Sequence, residues 1–194
     1  MGLAILVLGL AVFLAPHTFT AFGAARADLI ARVGTGTYKA VYSIISLIGL
    51  VLIGHGFALY RAAGPIEVWY PPIWMRHVTV ALVWPAIVCI VAAYSPGRIK
   101  TTLKHPFLVG VKLWALAHLL SNGDLGSIVL FGAILAWAVF DRISLKRRAD
   151  PGAPPIPVGG ISNDVIAVVV GTVVYVLLGL YFHPYVIGVP AFTG

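Results

Sequence analysis

Of the 194 residues, 60% are hydrophobic and only 10% are charged, and the mean hydropathy is +1.01. Such long apolar stretches exceed what the core of a soluble domain requires, which excludes a soluble globular or a disordered chain. A formal charge of +7 would suggest nucleic acid in a soluble protein. Here its distribution assigns it to membrane orientation and to anionic lipid head groups, and no nucleic-acid partner is expected.

A helix needs about 20 apolar residues to cross the hydrocarbon, and six runs approach that length: 2–23, 39–60, 77–95, 104–121, 125–141 and 163–183. Each is one long run, not a series of short alternating segments. The pattern predicts an all-α polytopic bundle of about six transmembrane helices over a single domain, 1–194, and not a barrel. The first run has no Lys or Arg ahead of it, which fits a retained helix better than a cleaved signal peptide. Trp69, Tyr70 and Trp74, in the second connection, suit an outer interfacial belt, as do Tyr181, His183 and Tyr185 near the end of the sixth helix. Cys89 is the only cysteine, so no intrachain disulfide and no covalent c-type haem attachment is available.

Between the fourth and fifth runs only Ser121, Asn122, Gly123 and Asp124 intervene, which reads as a tight helical hairpin. The longest connection, Arg142 to Asn163, contains DPGAPPIPVGG and reads as an extended linker. The first, third and fifth connections hold Arg26, Arg32, Lys39, Arg98, Lys100, Lys104, Arg142, Lys146, Arg147 and Arg148, against Arg61 and Arg76 on the other side. Positive charge is retained on the cytoplasmic side, so both termini are expected on the non-cytoplasmic side.

Function is sought in the fourth run, KHPFLVGVKLWALAHLLS, because it carries two histidines and Lys112. Ionisable groups are costly in hydrocarbon and face a bundle interior or a partner. At 1.5 Å per residue His118 lies about 21 Å from Lys104, whereas His105 lies at the cytoplasmic surface. At 100° per residue His105 and Lys112 share one face, and His118 shares another with Phe107, Val111 and Trp114. One helix therefore cannot present both histidines to one metal, and a partner for His118 must come from elsewhere. His17, after Pro16 in the first helix, is one candidate. His55, about 24 Å from Lys39 in the second helix, matches the depth of His118 better.

Isolated histidines with apolar walls on different helices suit haem b, whose iron takes two imidazoles. Lys112 or Arg76 would then pair with a propionate. Zinc or non-haem iron would want more ligands or a carboxylate, and no run carries Asp or Glu at its middle. The competing structural role for His17, His55 and His118 is a hydrogen bond to a neighbouring carbonyl or hydroxyl.

Several segments resemble the NnrU family of bacterial membrane proteins, whose relatives include the plant zeta-carotene isomerase: PHTFTA around His17, GTYKAVYSIISLIGLVLI from Gly36 to Ile53, RHVTVALVWPAIVCIVAAYSPGRIK from Arg76 to Lys100, and HPFLVGVKLWALAHLLSNGDLGSIVLFGAILAWAVFDR from His105 to Arg142. The resemblance implies a protein of the bacterial inner membrane linked to denitrification, that is, to nitrite and nitric oxide reduction. In the isomerase branch it implies a haem b held by two histidines, carried over by position onto His17 and His118, and a haem-dependent cis to trans change in a lipophilic polyene. It thus selects His17 where depth selects His55.

Two other classes compete. Lys104, His105 and Pro106 resemble the Arg-His-Pro motif of membrane methyltransferases that hold S-adenosylmethionine; the paired glutamates of those enzymes are replaced by FDRISLKRR, with Asp141 alone. The non-enzymatic alternative is an assembly factor whose partner is a nitrite or nitric oxide reductase component.

Overall fold

Residues 1–148 and 159–192 are described by the computed structural model of the chain, and every long element in them is helical. The elements are α1 Gly2–Phe19, α2 Gly23–Val33, α3 Thr35–Ala62, α4 Met75–Ala92, α5 Arg98–Leu103, α6 Pro106–Ser121, α7 Leu125–Arg147 and α8 Ile161–Leu177, which leads directly into a π-helical segment, Leu178–Ile187. Helices α1, α3, α4, α7 and α8 with its π-helical continuation have the length and hydropathy to cross a membrane. The protein is therefore a multi-pass helical membrane protein.

The expected fourth span is present as α6, but its 16 residues rise about 24 Å, short of a hydrocarbon core of about 30 Å. The expected first span ends early. Residue 23, expected to end that span, and residues 24–33, read from sequence as part of a connection, form α2, with Gly34 at φ 82° closing it. The short connection expected after the fourth span is present, with Ser121 ending α6 and residues 122–124 leading to α7. The proline-rich stretch from 150 to 158 lies outside the described residues.

Two compact units divide the chain: the described residues of Met1–Trp69 with Gly123–Ala153, and those of Tyr70–Asn122 with Pro154–Gly194. In the first, α1 packs along α3 and also touches α7. Glycine makes the close approach possible: Cβ atoms on Gly9, Gly49 or Gly56 would run into the backbones of Ile53, Phe13 and Leu6. Lipid tails are as apolar as leucine, so membrane helices gain little by hiding hydrophobic surface and associate through such small-residue contacts. The outer flank of α3, with Ile44, Leu47 and Val51, is left exposed accordingly. The start of α7 is tied down by Asp124, whose Oδ1 accepts from Ser127 N at 2.9 Å, and by Leu125 N donating to Ile66 O at 2.8 Å.

In the second unit α4 is the centre, packed by α6 and α8, and it buries Ala86, Ile87, Val88, Cys89 and Ala92. Gly110 of α6 meets Ala86 and Ile90, and Gly171 of α8 meets Val88. Polar pins fix the register: Trp84 Nε1 donates to Thr172 Oγ1 at 3.0 Å, Tyr175 OH to Val80 O at 3.1 Å, and Thr79 Oγ1 to Ala117 O at 2.8 Å. Asp164 in the first turn of α8 accepts from Ile99 N at 2.9 Å.

Candidate functional site

His118 lies in the last turn of α6, one residue after the carbonyl held by Thr79. Its Nδ1 is 2.8 Å from Trp114 O, one turn earlier, and the Trp114 ring stands 5.0 Å from its own. A carbonyl can only accept, so Nδ1 carries a proton and donates this bond, and Nε2 is the nitrogen turned to other partners. The backbone of the residue is held as well. His118 O accepts from Asn122 N at 3.0 Å and from Asn122 Nδ2 at 2.8 Å.

In the first unit His17 has the same local construction: Nδ1 is 2.6 Å from Phe13 O, one turn earlier, and the Phe13 ring stacks on it at 4.3 Å. Tyr42 of α3 at 5.1 Å and Trp137 of α7, edge-on at 5.5 Å, complete an aromatic enclosure. Pro16 does not end α1; the helix continues to Phe19, and Thr20 Oγ1 donates to His17 O at 2.7 Å. Metal-ligating histidines are commonly oriented in this way, by donating one ring N–H to a carbonyl while the other nitrogen faces the metal.

A second signal is the set of buried polar atoms without a hydrogen bond among the described residues: Arg26 Nε, Tyr38 OH, Trp137 Nε1 and His183 Nδ1. Such orphans are rare and mark strain or a missing ligand. Each lies near one of the two histidines. Trp137 contacts His17 directly, Tyr38 reaches it through Tyr42 at 6.4 Å, and Arg26 lies over the Tyr38 ring at 5.9 Å. His183 stands beside His118, with ring centroids 6.2 Å apart. An imidazole oriented through Nδ1 and walled by aromatics, as at each of these histidines, suits haem iron.

The remaining expected residues are His55, Lys112, His105 and Asp141, of which Asp141 lies close enough to His17 and Tyr42 to act on them electrostatically. His55 is exposed on α3, on a different face from Gly49, Ile53 and Gly56, which pack against α1. Lys112 is half-buried on α6. His105 caps the start of α6 behind Lys104, whose φ of 62° is the one positive value for a non-glycine among the described residues. Asp141 pairs with Arg148 at 3.2 Å, while Arg148 also donates to Thr20 O and Ser144 Oγ. Sequence reasoning missed Tyr42 and Trp137 and placed His183 at a solvated interface. The adjoining Pro184 was the available signal for irregular backbone there.

Grooves open on the surface of the described residues. One of about 560 Å³ runs along α8 and its continuation, lined by Val174, Leu177, Leu178, Tyr181, Phe182 and Tyr185 among others; another, of about 350 Å³, includes Phe22, Ser144, Arg147 and Arg148. Among the described residues, no group of three or more His, Cys, Asp or Glu side chains gathers to hold a metal ion. Comparison with known sequences matches residues 5–191 to the family described as NnrU protein. No curated protein and no solved structure matches the chain.

Proposed function

Since the chain belongs to the NnrU protein family, we propose that it is a haem b protein of the bacterial inner membrane, with His118 as an iron ligand and a role linked to nitrite and nitric oxide reduction. The observation that supports this best is the Nδ1 to carbonyl bond at His118, repeated at His17, because it orients an imidazole for a metal at Nε2. The family resemblance offers His17 as a candidate for the second ligand. Lys112, six residues before His118 on α6 and on a different face of that helix, is the candidate cation for a propionate.

When bound, haem supplies a one-electron couple whose potential follows its axial ligands and their surroundings. The chain's own contribution is to orient each imidazole through its Nδ1 bond, His118 beside Trp114 and His17 beside Phe13 and Trp137. The basic side chains face the cytoplasm and anionic lipid, so both termini lie on the other side. The groove holding Arg147 and Arg148 has the charge for a lipid head group.

The resemblance to the isomerase branch supports a second reading, in which the substrate is a lipophilic polyene whose double-bond geometry changes in a haem-dependent way and which the open apolar groove along α8 would admit. Its lining of valines, leucines, tyrosines and Phe182 offers long aliphatic contact and little to recognise a polar molecule. Absorption spectroscopy of the detergent-purified protein tests the common premise. A Soret band in the wild-type chain that disappears in His118→Ala supports the proposal, and a wild-type chain that stays colourless after incubation with haem refutes it.

A further inference from the structure

We infer that the second imidazole on the metal bound by His118 is that of His183, in the same unit. The inference rests on the haem reading for the identity of the metal and departs from it in the partner residue. Three observations carry it.

The first is distance. A metal bonded at about 2.0 Å to an imidazole nitrogen lies about 3.1 Å from that ring's centroid, so two imidazoles on opposite sides of one metal have centroids about 6.2 Å apart. Those of His118 and His183 are 6.2 Å apart, with ring planes 28° from parallel. Two imidazoles at a tetrahedral angle would bring the centroids to about 5 Å, so the spacing is too wide for a tetrahedral site and matches two imidazoles on opposite sides of one metal.

The second is the orphaned nitrogen. His183 Nδ1 is buried without a hydrogen-bond partner, an unmet polar group that a bound metal centre would satisfy. No protein group among the described residues takes that place.

The third is the backbone. His183 lies within the π-helical segment Leu178–Ile187, just before Pro184, which has no N–H for the helix ladder. Wider i to i+5 winding turns side chains away from the α-helical register, and such segments occur often at functional sites. The segment is closed firmly: Gly188 at φ 76° reverses the chain, Val189 N donates to His183 O at 3.2 Å, and Phe192 folds back on Gly179 and Tyr175. On the α6 side, Thr79 and Asn122 hold the backbone around His118. Both imidazoles are thus mounted on fixed backbone, as a ligand pair needs to be.

The test is the coordination state of the haem-loaded, full-length protein in detergent, read by absorption and by electron paramagnetic resonance of the ferric form. The wild-type chain should be six-coordinate and low-spin. His183→Ala should become five-coordinate and high-spin, whereas His17→Ala should keep the wild-type spectrum. His183→Met should restore six-coordination with a histidine–methionine spectrum and a raised potential, which a residue of purely structural role would not do. A low-spin His183→Ala, or a high-spin His17→Ala beside it, overturns the assignment while leaving haem binding in place. Absence of haem uptake by the wild-type chain instead refutes the haem reading, and this assignment falls with it.

Discussion

Gly49 and Gly54 lie five residues apart on α3, and substituting each with alanine should have opposite effects. A Cβ on Gly49 would stand 2.5 Å from Phe13 N and 2.7 Å from its Cα, where carbon contacts normally settle at about 3.5–4.0 Å. Because the atoms met are backbone, no rotamer change can relieve the overlap, and α1 and α3 must separate by about 1 Å. Overpacking of this kind costs up to about 3 kcal/mol. Alanine regains about 1 kcal/mol of helix propensity, leaving a net loss of about 2 kcal/mol for Gly49→Ala. At Gly54 a Cβ meets nothing within 4 Å, so only the propensity gain of up to about 1 kcal/mol applies. The two variants should therefore differ by about 3 kcal/mol in reversible unfolding in mixed micelles, followed as the fraction of denaturing detergent rises. Phe13 also supplies the carbonyl and the ring that hold His17, so Gly49→Ala should alter Trp137 fluorescence before global unfolding. Equal stabilities within about 0.5 kcal/mol would refute the reasoning that backbone contact through glycine assembles this unit.

Arg148→Ala should destabilise the first unit by about 1–2 kcal/mol, since Asp141, Thr20 O and Ser144 Oγ lose a common donor; Arg148→Lys should recover less than half, measured in the same micelles, because one ammonium cannot reproduce the guanidinium fork. Tyr60→Phe should cost about 1 kcal/mol, because Ile66 N donates to the Tyr60 hydroxyl at 2.8 Å; equal midpoints for the variant and the wild type would show that bond to be inconsequential. S-adenosylmethionine titrated calorimetrically into the purified protein should give no heat of binding. A His105-dependent isotherm would instead revive methyl transfer.

The helices were legible in the sequence because apolar runs of spanning length allow few alternatives in hydrocarbon. Residues 39–60 became the core of α3, and the turn after Ser121 appeared where Asn122, Gly123 and Asp124 break the pattern. Helix α2 was missed since GAARADLIARV is amphipathic and short, and its charges read as a connection. At the site, the shared face of Trp114 and His118 follows from helical periodicity alone, and their rings do meet. The place of His183 does not follow from it. A helical wheel assumes 100° per residue, and the π-helical winding before Pro184 breaks that assumption where the second ring is positioned. The enclosure of His17 by Tyr42 and Trp137 was equally hidden, because it depends on how α1, α3 and α7 pack against one another.

The central claim is that this chain carries haem b. Its most direct measurement is the haem content of protein extracted from membranes of haem-sufficient cells, quantified as the pyridine haemochrome against protein concentration. The account predicts about one haem b per chain in the wild type, falling to a small fraction in His118→Ala. Negligible haem in the wild type, or equal content in the two proteins, would contradict it.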